Sequence, residues 1–157
     1  MRVFLILGIV AVLAACKSKK DLQESIAPPP STTEENIDGK PQRPYQVKAR
    51  LGKFSDSDPL KIVDVAIHEN SLFIDVSYTG GCALHKFECV GSEAIMKSLP
   101  PKRSVKLIHS NGDDTCKSLV KQTIQVDITT LAADQTSGSV IVLLLEGFKG
   151  EIKYTYQ

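Results

Sequence analysis

Short apolar runs with a two-residue period dominate the chain from Tyr45 onward. Leu72, Ile74, Val76 and Tyr78 illustrate the pattern, because alternate residues share one face of an extended strand. Turn-forming residues separate these runs, and only one short stretch has a pattern compatible with a helix. The spacing therefore predicts an all-β fold, an antiparallel β-sandwich of about seven to eight strands that is either Ig-like or a small barrel.

Several local features refine this prediction. Val63, Val65 and Ile67 are predicted to share a face, and Glu69-Asn70-Ser71 to form a tight connection to the next strand. The stretch 140–145 is apolar on both faces, as in a central strand. The predicted strands are residues 62–67, 72–78, 85–90, 104–110, 123–129, 139–146 and 151–156.

The stretch from Ser92 to Leu99 is the exception to the strand pattern. It is predicted to form one or two helical turns, with Ser92 as the N-cap and Pro100-Pro101 ending the helix.

The first 15 residues are typical of an export signal. Arg2 supplies a positive charge, residues 3–12 are apolar, and Leu13-Ala14-Ala15 ends in small residues before Cys16. The apolar run is shorter than the about 20 residues needed to span a bilayer.

The four residues 13–16 resemble the lipobox of bacterial lipoproteins, which implies cleavage before Cys16 and acylation of that cysteine. Lys17 follows, where Asp commonly retains lipoproteins at the inner membrane, so the resemblance implies the outer membrane, on its periplasmic face or at the cell surface.

Residues 16–44 are predicted to be a flexible linker, and residues 45–157 the folded domain. The linker contains Pro28-Pro29-Pro30 and has too few apolar residues to form a core.

Removal of residues 1–15 takes one cation from the 19 Lys and Arg, which leaves 18 against 18 Asp and Glu. This zero balance argues against a nucleic-acid partner. The expected partners are a lipid bilayer, through the acyl chains on Cys16, and an envelope protein.

Two segments carry the residues of greatest chemical interest. Gly80-Gly81-Cys82-Ala83-Leu84-His85-Lys86-Phe87 and His109-Ser110-Asn111-Gly112-Asp113-Asp114-Thr115-Cys116 each hold one cysteine and one histidine near a turn. Strand parity places His85 on one face with Phe87 and Cys89, and His109 with Val105 and Leu107. Both histidines are therefore predicted to lie on inward faces at strand ends.

The pattern Gly-Gly-Cys-x-x-His-x-Phe, followed by Pro-Pro, a His-containing turn and a Cys, resembles uncharacterised envelope lipoproteins of Bacteroidota. The resemblance covers about residues 70–130. It implies an envelope setting, and it implies no particular activity.

Three interpretations of the cluster remain open at this point. The favoured one is a Cys82–Cys116 disulfide, because exported proteins meet an oxidising compartment. It leaves Cys89 as a buried free thiol, and a Cys82–Cys89 bond is the other pairing. The second is a zinc or copper site formed by Cys82, His85, His109 and Cys116. In the third, the histidines are structural, with Asp113 and Asp114 as available partners for His109.

The sequence thus favours a non-enzymatic, membrane-anchored binding or structural protein with no cofactor. A metal-binding envelope lipoprotein is the first alternative. An enzyme is the second, with His85, His109 and Asp113 as its acid–base candidates. Motifs of serine hydrolases, zinc proteases and phosphate-binding loops are absent from the sequence.

Overall fold

The computed structural model describes residues 43–157. The predicted signal peptide (1–15), the acylation site Cys16 and the linker as far as residue 42 lie outside these residues. No helix in the described part of the chain is long and apolar enough to cross a bilayer.

Nine strands form two sheets, in agreement with the predicted all-β sandwich. One sheet has the order β1-β7-β4-β3 and the other β2-β5-β6-β8-β9. A single 3₁₀ turn, Thr129–Leu131, follows β7. The strands are β1 (Tyr45–Lys48), β2 (Arg50–Leu51), β3 (Lys61–His68), β4 (Ser71–Gly80), β5 (Lys86–Gly91), β6 (Lys102–Ser110), β7 (Ser118–Asp127), β8 (Val140–Leu145) and β9 (Ile152–Thr155).

Both sheets are mixed, whereas the sequence predicted antiparallel pairing throughout. The pairs β1–β7, β2–β5 and β6–β8 run parallel, and the other pairs run antiparallel. The first two pairs arise where the chain changes sheets at Ala49, which is 2% exposed and separates β1 from β2. A small side chain at this crossing allows consecutive strands to join opposite sheets, and it also explains the ninth strand.

The core lies between the sheets and follows the predicted parity on most strands. Leu72, Ile74, Val76 and Tyr78 of β4 are all buried. They pack with inward residues of β5, β6, β7, β8 and β9 in one continuous apolar cluster. Burial at about 25 cal/mol per Å² of apolar surface is the main favourable term for such a domain.

The predicted shared face of Val63, Val65 and Ile67 holds for Val65 and Ile67, which lie opposite the inward Ile74 and Leu72, and it is wrong for Val63. A register shift between Ile62 and Asp64 interrupts the pairing of β3 with β4. The extra residue changes the parity, so that Ile62 and Val65 pack against the core while Val63 is 58% exposed. Because β3 is an edge strand, this bulge also disfavours pairing with another chain.

The segment from Ser92 to Leu99 does not form the predicted helix. Met96 N–H donates to the carbonyl of Lys102 at 2.8 Å, and the two residues form an isolated bridge. The side chain of Arg103 binds the carbonyls of Ser92 and Glu93. These carbonyls are the acceptors that a first helical turn would use, so the tertiary contact replaces the helix.

Candidate functional site

The two cysteine- and histidine-bearing segments meet at one end of the sandwich. β4 ends and β7 begins there as antiparallel neighbours, and the same holds for β6 and β5. The loops 81–85 and 111–117 are therefore adjacent. A disulfide between Cys82 and Cys116 joins them, which confirms the predicted bond across a sequence separation of 34 residues. We call this region the disulfide end.

Asp114 forms a second link between the same two loops. Its Oδ2 accepts the backbone N–H groups of Gly81 at 2.8 Å, Cys82 at 2.8 Å and Ala83 at 2.9 Å. Its Oδ1 accepts the N–H of Cys116 at 2.8 Å. These converging N–H groups require the left-handed conformation of Gly81, whose φ is 112°.

The same oxygen of Asp114 is the partner of His85. His85 Nε2 lies 3.1 Å from Asp114 Oδ2, and the Asp114 side chain is only 1% exposed. The N–H of Ala83, followed by that of Cys116 and by the His85 side chain, holds the pKa of Asp114 well below its ordinary value. The aspartate is thus ionised at neutral pH, and Nε2 of His85 carries a proton that it donates to the carboxylate.

His85 continues the network to His109. Its Nδ1 lies 2.7 Å from Nε2 of His109, and the two residues are 8% and 2% exposed. Burial, and then the neighbouring His85, lower the pKa of His109. A side chain at Gly80 would place its Cβ 2.5 Å from the His85 ring, so glycine is required for this close approach.

Aromatic rings enclose the two histidines. The ring of His109 stacks on Phe87 with centroids 5.0 Å apart and on His85 at the same separation. Tyr78 lies 4.5 Å from His85 and 4.8 Å from His109 between centroids. The Tyr78 hydroxyl donates to Gln122 Oε1 at 2.8 Å. The imidazoles are therefore buried among aromatic rings.

The four proposed metal ligands are engaged within the protein in this oxidised state. The two sulfurs are bonded to each other, and a disulfide sulfur is not a thiolate ligand. The imidazoles of His85 and His109 bond to each other, and His85 also bonds to Asp114. Within residues 43–157, the donor atoms close enough for one ion are those of Cys82, Asp114 and Cys116, which lie within 4.8 Å of one another. The histidines are not in this group.

Cys89 and Asp113 are two further residues for which the sequence made a prediction. Cys89 is a free, buried thiol, which excludes the Cys82–Cys89 pairing, and burial raises its pKa to about 12. Asp113 is exposed and donates its N–H to the Asn111 side chain. The carboxylate in the network is therefore that of Asp114, and the histidine that it binds is His85, whereas the sequence offered both aspartates as partners of His109.

Arg103 is the polar residue that the sequence reasoning missed. It is 3% exposed, and its guanidinium donates to the carbonyls of Ser92, Glu93, Leu131 and Ala132. Strand parity contains the signal, because Arg103 shares the inward face of β6 with Val105, Leu107 and His109. A cation at an inward strand position indicates a buried arginine that organises neighbouring loops.

Two surface grooves are lined by other residues, and the second adjoins His109, whose N–H donates to Ser57 Oγ at 3.0 Å and whose carbonyl accepts from the N–H of Asp58 at 2.9 Å. One, of about 350 Å³, is lined by Phe54 and by the segments 52–53 and 92–94. The other, of about 380 Å³, is lined by residues 57–62 together with Lys106, Leu107, Glu146 and Gly147. None of the histidine network lines either groove.

Three similar chains are found by comparison with solved structures. A NigD-like immunity protein from Bacteroides caccae matches with a TM-score of 0.54 and 14% identity, over 71% of this chain and 59% of its own. A putative toxin-related protein from Parabacteroides distasonis gives 0.47 at 17% identity, covering 71% and 61%. A DUF1344 protein of unknown function from Bacteroides vulgatus gives 0.45 at 14%, covering 72% and 56%.

At 14% identity, the likeness to the NigD-like immunity protein establishes the fold alone. The chain spans about three fifths of the length of the solved structures that it matches. No family model matches the sequence, and no curated protein does.

Proposed function

We propose that the protein is an envelope lipoprotein, anchored in the outer membrane by acyl chains on Cys16, whose β-sandwich has a non-enzymatic binding or structural role. The lipobox residues 13–16 and the Pro-rich segment 16–44 support the anchor. The Cys82–Cys116 disulfide supports it independently, because such bonds persist in exported proteins. Several acyl chains, each contributing about 0.8 kcal/mol per buried CH₂, make a durable anchor.

The internal use of the reactive groups is the main support for a non-enzymatic role. Both sulfurs of the cluster are in a disulfide, Asp114 is saturated by N–H donors, and His85 bonds to Asp114 and His109. A general base must reach a substrate proton within about 2.6–3.2 Å, directly or through one water. Two imidazoles that are 8% and 2% exposed and covered by Tyr78 and Phe87 are poorly placed for this. They are well placed to brace the loops of a binding domain.

Metabolic labelling tests the anchor. Cells that express the full chain are grown with radioactive palmitate, and we expect label on the wild type and none on Cys16→Ala. We also expect the wild type to fractionate with the outer membrane and Lys17→Asp with the inner membrane. Equal labelling of wild type and Cys16→Ala would contradict the anchor, and wild type in the inner-membrane fraction would contradict the outer-membrane assignment.

A hydrolase or redox assay on the purified protein tests the non-enzymatic role. We expect no turnover that depends on His85. An activity that His85→Ala abolishes while the circular-dichroism spectrum and the unfolding midpoint stay near the wild-type values would contradict the proposal.

An immunity role is a narrower candidate. The observation that favours it is the shared fold with the NigD-like immunity protein, whose TM-score is 0.54. Under this candidate, the sandwich would protect its own cell by binding a toxin. Competition of a deletion strain against its parent provides the test. Selective killing of the deletion strain, reversed by wild-type protein, would support an immunity role, and equal survival would argue against it.

A further inference from the structure

The described chain enters the domain from the disulfide end. β1 runs parallel to β7, with Tyr45 opposite Ile124 and Lys48 opposite Asp127. Since β7 starts at the disulfide end, the residues before Tyr45 lie toward that end. The Tyr45 ring packs 5.3 Å from Phe87, which fixes the entry point beside the histidine network. The disulfide end is therefore the part of the sandwich nearest in sequence to the proposed lipid on Cys16.

Two large apolar side chains are exposed at this end. Leu84 is 88% exposed and Leu119 is 71% exposed. Leu84 lies in the loop that the disulfide and Asp114 hold rigid, directly before the inward-facing His85. Leu119 is opposite Thr79, next to the pair Gly80–Ser118 that closes β4 against β7. The loop conformation and the strand register leave most of both leucine side chains exposed to solvent.

Cations accompany these leucines. Arg43, Lys86 and Lys117 are exposed in the segments that form this end. Asp113 is an exposed acid in the 111–117 loop, Asp58 accepts the N–H of Asn111 beside it, and Asp114 is turned inward to its N–H donors. Exposed leucines flanked by lysine and arginine are typical of surfaces that lie at the interface of an anionic bilayer.

We propose that the disulfide end is a membrane-contacting surface. Leu84 and Leu119 enter the interface of an anionic bilayer, while Lys86 and Lys117 bind its headgroups. The inference rests on the proposed lipid anchor, which would hold this end close to the membrane. Cys16 and Arg43 are 27 positions apart in the sequence (43 − 16). The anchor thus permits contact, and the surface residues supply the affinity.

Partitioning of the unlipidated mature chain onto vesicles tests the surface directly. Residues 16–157 carrying Cys16→Ala are mixed with vesicles of phosphatidylethanolamine and phosphatidylglycerol and separated by flotation. We expect Leu84→Ser combined with Leu119→Ser to lower the partition coefficient on the order of tenfold or more. The matched control is Leu99→Ser, because Leu99 is 99% exposed in the loop at the opposite end. It should leave partitioning unchanged.

The headgroup contribution is measured with charge variants. Lys86→Gln and Lys117→Gln should each weaken binding to these anionic vesicles roughly fivefold. Binding to phosphatidylcholine vesicles should not change. Equal partitioning of the double leucine variant and the wild type, or an equal loss with Leu99→Ser, would overturn the proposal.

A tryptophan probe reports the orientation independently. The chain contains no Trp, so Leu84→Trp and Leu99→Trp each introduce a single emitter. We expect a blue shift with anionic vesicles for Leu84→Trp and none for Leu99→Trp, and the reverse result would overturn the proposal.

Palmitate labelling of the lipidated chain distinguishes the proposed lipid anchor from the proposed membrane-contacting surface. Labelling without vesicle contact would leave the anchor standing and remove the surface, and vesicle contact without labelling would do the opposite.

Discussion

Nδ1 of His85 lies 2.7 Å from Nε2 of His109, and both rings are buried. In the neutral form of His85, a proton on Nε2 that is donated to Asp114 leaves Nδ1 as an acceptor, so His109 Nε2 donates the hydrogen bond between the rings. The result is one hydrogen-bonded chain from Asp114 through His85 to His109. Buried polar networks of this kind stabilise a fold when complete, and they become costly when one member is removed.

Asp114→Asn should destabilise the domain more than any exposed carboxylate substitution. An amide group cannot accept at both ends, so N–H groups of the 81–83 loop or of Cys116 lose their acceptor. The unfolding midpoint in urea should fall with an unchanged m-value. Asp113→Asn is the matched control, since Asp113 is exposed and outside the network. Equal midpoints for the two variants would contradict the role of Asp114.

Acid titration gives Asp114 a second signature. A carboxyl whose pKa is lowered by folding stabilises the native state fully above its unfolded pKa, near 3.9, and the stabilisation is lost as pH falls through the lower folded value. The difference in unfolding free energy between wild type and Asp114→Asn should thus be constant from about pH 7 to pH 5 and should shrink below about pH 4.

His109 should make the domain less stable in mild acid. Its pKa is lowered on folding, so between the folded value and the unfolded value near 6.5 the unfolded chain binds more protons. Stability from this group is complete above about pH 6.5 and is lost as pH falls through the folded pKa. Unfolding free energies measured from pH 8 to pH 5 should show this decline in the wild type.

His109→Phe should reduce that decline. The ring stack on Phe87 is retained, but His85 Nδ1 loses its partner, which costs about 1–3 kcal/mol at neutral pH. His68→Phe is the control, because His68 is exposed at the end of β3. If His109→Phe keeps the full wild-type slope, the titrating group is elsewhere.

Alternation along the strands was sufficient to predict which residues face the core. It placed the β4 residues inside, and it placed His85 and His109 on inward faces. The alternation gave a wrong prediction at the bulge of β3 between Ile62 and Asp64. The bulge depends on how β3 pairs with β4, and the apolar pattern does not indicate that pairing. The parallel pairing of β1 with β7 was also not predicted. It joins residues that are 79 positions apart, such as Tyr45 and Ile124 (124 − 45), and the local apolar pattern contains no information on contacts at that distance.

The sequence predicted which residues form the candidate site better than it predicted which of them contact each other. The oxidising compartment expected from the signal-like N-terminal sequence favoured the disulfide, but adjacent Asp113 and Asp114 look equivalent in sequence. The loop conformation distinguishes them, because Asp113 has a φ of 59° and only Asp114 meets the N–H groups of residues 81–83. The helix predicted from Ser92 to Leu99 failed for a similar reason, since Arg103 takes its carbonyls.

Removal of the disulfide should cost about 4 kcal/mol. A closed loop of this order restricts the unfolded chain by about that amount in the chain-entropy treatment, and the sequence separation here is 34 residues. The test compares urea unfolding of Cys82→Ser combined with Cys116→Ser against wild type, both in a Cys16→Ala background. A loss of less than about 1 kcal/mol would indicate that Asp114 alone holds the two loops together.

Thiol counting in the same Cys16→Ala background checks the cysteine assignment. Cys89 is 0% exposed, and burial raises its pKa to about 12, so the native protein should show no thiol reactive toward alkylation near neutral pH. Unfolding without reductant should expose one thiol. Two or more reactive thiols in the native state would contradict the Cys82–Cys116 pairing.

Arg103→Met should destabilise the domain by about 2–4 kcal/mol, because four buried or half-buried carbonyls lose a charged donor. The neighbouring Lys102→Met is the matched control. Lys102 pairs with Glu151, whose side chain is 58% exposed, and such surface pairs contribute about 1 kcal/mol or less. Chemical denaturation measures both variants.

Amide hydrogen exchange should also show lost protection at Met96 in Arg103→Met, since Arg103 holds the 92–93 turn against which the Met96–Lys102 bridge forms. If both variants cost equally little, Arg103 is a tolerated buried cation and the loop holds its shape by backbone contacts alone.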